Sequence, residues 1–348
     1  CLVYIAVCVF STVIAMLFGE IDVAHSFFCI LKYMEYFILF IMVRDNLENM
    51  RQAKVFMAVF FLTALLVGIN SHVFIQREIA SGEHFFRIAP PVETRGGGES
   101  GTLGGYFLFM MAIAGGFLIY EKSILIKTFL VILELLMFRG LLYTLSRGSY
   151  LALAAMAAAL IYFVKEKRLV LFYTLAIIVI LTGVFMPEMV RERITGTVIT
   201  KEDDMGVRYM EWEESPQARI VSWKTVIFER FPKSPLLGYG IGKFFIDSQI
   251  FLTLSEVGLI GLIIFIWILS TLYRMTRDTM NADIVKNDTF GLSLATGFLI
   301  GFIGLVFHSI STNTFIIISI MEPFWFIAAI VLSLPRLLER EKELNVTG

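Results

Sequence analysis

Charge is scarce in this chain. Of 348 residues only 17% are Asp, Glu, Lys or Arg, 57% are hydrophobic, and mean hydropathy is +0.79. A water-soluble domain of this length cannot hide so much apolar surface, which excludes a soluble enzyme. Neither sign of charge prevails: 29 Lys+Arg meet 30 Asp+Glu, so no basic field marks a nucleic-acid partner. Histidine and cysteine are scarce as well. His25, His72, His84 and His308, with Cys1, Cys8 and Cys29, share no metal-ligand spacing, so neither a metal nor another cofactor is expected. Nucleophilic G-x-S-x-G, H-E-x-x-H and Walker patterns are missing too.

What the chain does have is long apolar runs. Ten are long enough to cross roughly 30 Å of hydrocarbon, at 1–18, 26–43, 54–70, 103–120, 124–142, 149–164, 168–186, 250–273, 289–308 and 314–334. The reading is an all-α polytopic membrane protein of about ten transmembrane helices, one membrane-embedded domain over 1–348. Residue 1 is a cysteine inside an apolar run, with no Met and no charged lead, so further helices are expected ahead of it in the whole protein. Basic residues set the orientation. Arg44, Arg51, Lys54, Lys122, Lys127, Lys165, Lys167, Arg168, Arg274, Arg277, Lys286, Arg336, Arg340 and Lys342 fall in or beside one set of loops, which predicts a cytoplasmic side. The opposite short loops hold only Arg147, with Arg139 nearby. The long loops 71–102 and 187–249 then face outward. Within 187–249, Ser215-Pro216 reads as an N-cap followed by Pro at the first helical position. Ile220, Trp223, Ile227 and Phe231 then recur at helical spacing until Pro232, which predicts an amphipathic helix over 216–231 on the outer face. The polar stretch 198–214, with Glu202-Asp203-Asp204, is expected to be a mobile loop.

Ionisable residues at the rim of a membrane core are costly and therefore candidates for function. Arg147, in Thr144-Leu145-Ser146-Arg147-Gly148-Ser149, lies on the side that the basic-residue bias disfavours. Its guanidinium fork matches phosphate geometry; the plainer alternative is snorkelling or capping a helix C-terminus. Arg219 sits near the start of the proposed surface helix, where an anion is also favoured. Arg95 precedes Gly96-Gly97-Gly98, either a backbone cradle or a flexible linker. Three outward arginines point to a polyanionic ligand. Glu20 and Asp22 could hold a divalent metal, though solvated charge explains them more simply.

Four patches together resemble the O-antigen ligase and O-antigen polymerase family of bacterial membrane glycosyltransferases. They are Leu145-Ser146-Arg147-Gly148; Arg219 with Trp223; the turn Pro235-Leu236-Leu237-Gly238-Tyr239-Gly240-Ile241-Gly242; and Asp247 leading to Leu254-Ser255-Glu256-Val257-Gly258-Leu259-Ile260-Gly261-Leu262. The resemblance implies a GT-C-like arrangement of about twelve helices, so that about two precede residue 1 here. It implies transfer of a glycan from an undecaprenyl diphosphate carrier to a sugar hydroxyl at the outer face of the cytoplasmic membrane. It also implies an inverting displacement without a metal. The acceptor would be a growing polymer or the lipid A core, with chain-length regulator and flippase proteins as partners in the bilayer.

Carried over residue by residue, Arg147 and Arg219 match the arginines that hold the donor's diphosphate; Arg95, Tyr239 and Glu256 are this chain's further candidate substrate-binding positions. Nine residues before Glu256, where ligases of the family carry a histidine, this chain has Asp247 followed by Ser248. That difference sets the polymerase reading ahead of the ligase. Asp247 is then the candidate base, and capping of the helix starting near 250 is its plainer alternative. A transporter or flippase is the rival from another class; it predicts interrupted helices, mid-membrane charge and a two-half repeat. A non-catalytic assembly partner is the third.

Overall fold

The computed structural model describes residues 2–18, 21–82, 86–90, 99–195, 198–202, 208–212 and 214–347. Helices dominate it. In chain order they begin with α1 (Leu2–Leu17), α2 (Val23–Asn46), α3 (Met50–Ala80), α4 (Ser100–Tyr120), α5 (Ile124–Tyr143), α6 (Arg147–Phe163), α7 (Arg168–Phe185) and α8 (Glu188–Thr195). A two-stranded antiparallel ribbon follows, β1 (Val198–Glu202) with β2 (Arg208–Trp212), in which Val198 pairs with Trp212 and Glu202 with Arg208. Next come α9 (Glu214–Thr225), continued by a π-helical turn at Val226–Arg230, then α10 (Gln249–Asn281), α11 (Asp283–Lys286), α12 (Thr289–His308) and α13 (Ile318–Thr347).

Each apolar run read from the sequence forms a helix, several extending well past the run itself. Among the described residues, six helices are long and apolar enough to cross a membrane: α2, α3, α4, α10, α12 and the Ile318–Leu344 stretch of α13. Arg168–Val184 and Glu188–Thr195 qualify only as a pair bent by 101°, while α1 and α6 are apolar but shorter. This is an integral membrane protein.

Two expectations for the segment 187–249 need correction. The stretch 198–214, expected to be a mobile loop, contains the β-ribbon. Its overall polarity masked good strand formers, Val198-Ile199-Thr200 against Tyr209 and Trp212. Asp203 and Asp204 lie outside the described residues. The surface helix starts at Glu214, so Ser215 and Pro216 fall inside its first turn. Its inward row runs through Ile220, Trp223 and Val226, with Val226 fully buried. The amide of Phe231 reaches back five residues to Val226, the mark of a π turn. That wider turn leaves Ile227, expected on the apolar face, exposed together with Phe228.

The chain divides into two compact units, one of Cys1–Ile30, Tyr173–Phe265 and Ile310–Asn313, the other of Leu31–Phe172, Ile266–Ser309 and Thr314–Gly348. In the second unit α4 is the central helix: 83% of its apolar window is buried, against 22% for α3. Apolar residues all round and glycines at the contact permit this. A Cβ on Gly297 of α12 would stand 2.8 Å from the Ala112 carbonyl oxygen of α4. Phe324 of α13 completes the core between Phe298 (ring centroids 5.2 Å apart), Phe109 (5.7 Å) and Phe302 (5.8 Å). At the end of α2, the Arg336 guanidinium donates to the carbonyls of Arg44 (2.6 Å) and Leu47 (3.1 Å), which the helix itself leaves unpaired. In the first unit, α1 and the first turns of α2 hold the turn-rich segment 231–248 against the start of α10.

Candidate functional site

The start of α10 is broken. Gly258 has φ 65° and ψ −164°, outside the helical region. In a continuous helix the amides of Leu259 and Ile260 would bond to the carbonyls of Ser255 and Glu256. Here Leu259 donates to Pro235 O (2.9 Å) and Ile260 to Leu236 O (3.3 Å), while Ser255 O accepts from Tyr239 N (2.9 Å) and Glu256 O from Gly240 N (2.9 Å). Each such group left unpaired in hydrocarbon costs several kcal/mol. The segment 235–240 therefore completes the span by supplying the four partners that the break removes.

Glycine makes this approach possible. A Cβ on Gly258 would overlap the Leu236 carbonyl, and one on Gly238 (φ 67°) would stand 2.5 Å from the Glu256 carbonyl carbon. Side chains lock the arrangement from α1 and α2. Ser11 Oγ donates to Glu256 O (2.8 Å), Thr12 Oγ1 accepts from Ile241 N (3.1 Å), and Ser26 Oγ donates to Ile241 O (2.6 Å). The buried Glu256 carboxylate accepts from the Gly242 amide at 2.7 Å. The Tyr239 hydroxyl donates to Arg230 O (3.1 Å), and its ring meets Phe244 edge-on. Two sequence patches, 235–242 and 254–262, are thus one structural piece.

Immediately before α10 lies Asp247. Its Oδ2 accepts from Arg219 Nε at 3.2 Å, with the two side chains 38% and 30% exposed. A pair that open adds about 1 kcal/mol or less to stability, so its significance is positional. Among the described residues Arg219 engages one carboxylate oxygen of Asp247, through Nε. Trp223, one turn along α9, donates from Nε1 to Asp247 O (3.2 Å) and stacks on Phe251 of α10, with centroids 5.1 Å apart. Ser248 N donates to Asn313 Oδ1 at 3.2 Å. Helix α10 starts at Gln249, and the Asp247 carboxylate goes to Arg219 rather than to the helix amides. The helix-cap alternative for Asp247 does not describe this geometry.

Arg147 lies in the other unit, half-buried, as the first residue of α6. A cation there meets the positive end of the α6 dipole and stands just past the end of α5 at Tyr143. The cation and the α6 N-terminus both raise local positive potential, which suits an anion. Around it, Ser146 accepts from Ser149 N (3.4 Å) as N-cap, and Ser149 Oγ contacts His308 Nε2 (3.1 Å).

Of the other expected positions, Arg95, with Gly96, Gly97 and Gly98, lies outside the described residues, as do Glu20 and His84. Asp22 is accounted for locally: its Oδ1 accepts from Ala24 N (2.9 Å) and His25 N (3.2 Å), capping α2. Asn313 was not singled out from the sequence; its one signal was the polar string Ser311-Thr312-Asn313-Thr314 between apolar runs. From the sequence, His84, His308 and Glu256 stand behind Asp247 as the next candidates for the base.

Residues 132–266 match the family model described as O-Antigen ligase. No curated protein matches the chain. The matched segment contains Arg147, Arg219, Asp247 and the whole break in α10. Through it, the chain is similar to the O-antigen ligase and O-antigen polymerase family of membrane glycosyltransferases.

Proposed function

We propose that this protein transfers a glycan from an undecaprenyl diphosphate carrier to a sugar hydroxyl at the outer face of the cytoplasmic membrane, as a polysaccharide polymerase. The observation that carries the reading is the Arg219–Asp247 pair at the head of the broken helix, within the family match. Arg219 uses Nε for Asp247, which leaves its Nη donors for phosphate oxygens. The acceptor hydroxyl attacks the anomeric carbon, the carbon–oxygen bond to the diphosphate breaks, and the leaving diphosphate takes the electron pair. Fixed guanidinium donors stabilise the charge that develops there, with no metal required. Asp247 Oδ1 takes the hydroxyl proton. One such displacement inverts the anomeric centre.

The remaining assignments belong to the same proposal. Ten helices span the membrane in a GT-C-like arrangement, 187–249 is extracytoplasmic, and the lipid-linked donor and growing glycan are the partners. Arg147 also binds the donor's phosphate charge, while Tyr239 and Glu256 shape the segment beside the acceptor. The family description favours a second reading, an O-antigen ligase that delivers the glycan to lipid A core. Asp247 in the place of the ligase histidine weighs against it. A transporter reading gains the interrupted helix α10. The break, however, is saturated by 235–240, so its carbonyls do not form an open ion site.

The test uses purified protein in liposomes with undecaprenyl diphosphate-linked repeat units. A ladder of longer lipid-linked glycans is the expected product. Transfer to lipid A core instead selects the ligase, and movement of the lipid without new glycosidic bonds overturns both.

A further inference from the structure

We infer that His308 is a positioning residue for Arg147, acting through a buried hydrogen-bond relay; this rests on the donor-binding role proposed for Arg147. The turn from α5 to α6 is strained. Leu145 has φ 50°, a left-handed conformation in which a side chain crowds the following carbonyl oxygen. Such strain persists only where neighbouring groups over-determine it. Those groups form a chain of four side chains drawn from the start of α6, from α12 and from the short 3₁₀ turn Thr314–Ile316. Thr314 Oγ1 lies 2.8 Å from His308 Nδ1, His308 Nε2 lies 3.1 Å from Ser149 Oγ, and Ser149 Oγ donates to Ser146 Oγ at 2.9 Å. Ser146 is the N-cap of α6, and Arg147 is its next residue.

Both ring nitrogens of His308 face hydroxyls, Nδ1 toward Thr314 Oγ1 and Nε2 toward Ser149 Oγ, and a hydroxyl can donate or accept, so the ring is held at both ends in either tautomer. Thr314, His308 and Ser149 are all 0% exposed, so bulk water does not reach the two links made by the imidazole. α4 leaves room for the imidazole with a glycine: a Cβ on Gly105 would stand 3.0 Å from His308 Cε1. Burial also excludes the bland alternative of a nucleophilic Ser149, which no substrate carbon can reach.

Two near-isosteric variants of the full-length chain separate the links. In H308Q the amide nitrogen takes the place of Nε2 and keeps the bond to Ser149. In H308N the amide takes the place of Nδ1, keeps Thr314 and loses Ser149. Transfer from undecaprenyl diphosphate-linked donor is expected to fall by up to about 10²-fold in H308N, the loss that a small misplacement causes. H308Q recovers most of that rate. S149A reproduces H308N from the other side. In R147A/H308N the rate is no lower than in R147A, because the two act as one unit. Additive losses, or equal losses in H308N and H308Q, overturn the inference. Hydrogen exchange gives an arm independent of activity: the 146–150 amides exchange faster in H308N than in wild type and H308Q. If wild type transfers no glycan, the functional reading fails while exchange still decides whether His308 organises the turn. Unchanged exchange in H308N overturns the positioning role.

Discussion

Arg219 and Asp247 are 28 positions apart in the sequence, yet the Arg219 guanidinium donates to the Asp247 carboxylate at 3.2 Å, just ahead of the broken helix. The pair joins the two expected roles, phosphate donor and proton acceptor, in one contact. Asp247→Asn keeps the shape and the hydrogen bond but removes the base. Transfer is expected to slow by about 10²–10⁴-fold, the range of general-base help, while donor binding survives. Thermal midpoints stay close to wild type, because a half-exposed pair contributes about 1 kcal/mol or less. Full turnover in Asp247→Asn, measured with purified protein, removes Asp247 as the base.

Arg147 is tested separately. Arg147→Ala is expected to lower kcat by about 10²–10³-fold if it stabilises leaving-group charge. Arg147→Lys recovers part of the loss, since an ammonium supplies charge without the bidentate fork. Near-normal kcat in a well-folded Arg147→Ala protein makes this arginine structural.

The break at Gly258 carries a stability prediction. A Cβ there adopts a disfavoured φ and overlaps the Leu236 carbonyl. Gly258→Ala is expected to cost more than about 2 kcal/mol, read as a lower thermal midpoint in detergent. Gly183→Ala in α7 is the control: no heavy atom lies within 4 Å of its added Cβ. There the substitution is neutral or stabilises by about 0.5–1 kcal/mol. Equal behaviour of the two variants contradicts the broken geometry.

Orientation is decided by labelling. Lys224 is exposed on α9, within the segment predicted to be extracytoplasmic. Lys224→Cys reacts with a membrane-impermeant thiol reagent before the cytoplasmic membrane is opened, once any outer membrane is permeabilised. Reaction only after opening reverses the topology.

The helices were readable because a membrane helix must be apolar along its whole length, and hydropathy reports that directly. The break in α10 was not. Leu254–Leu262 has the hydropathy of an ordinary helix, and the groups that replace its internal bonds come from about twenty residues earlier. Local pattern carries no information on such a partner. The same holds for Arg219, which the sequence placed near the start of a surface helix without its carboxylate partner, and for the imidazole of His308, whose two hydroxyl partners lie on other elements. The π turn at Val226–Arg230 was invisible for a further reason: a window tuned to 3.6 residues per turn cannot register a wider one. Strand formers at 198–200 and 209–212 were present in the composition but diluted by the charges around them.

The pairing of 235–240 with the ends of the break also bears on biogenesis. A span that closes its own backbone bonds can partition into lipid as soon as it leaves the translocon; α10 cannot, because four of its polar groups depend on an outside segment. The ribosome makes that segment first. When Ser255–Ile260 emerge, Pro235–Gly240 already exist on the same nascent chain, so the span is completed by residues that precede it rather than by later helices. Vectorial synthesis and the chemistry of the break run in the same direction.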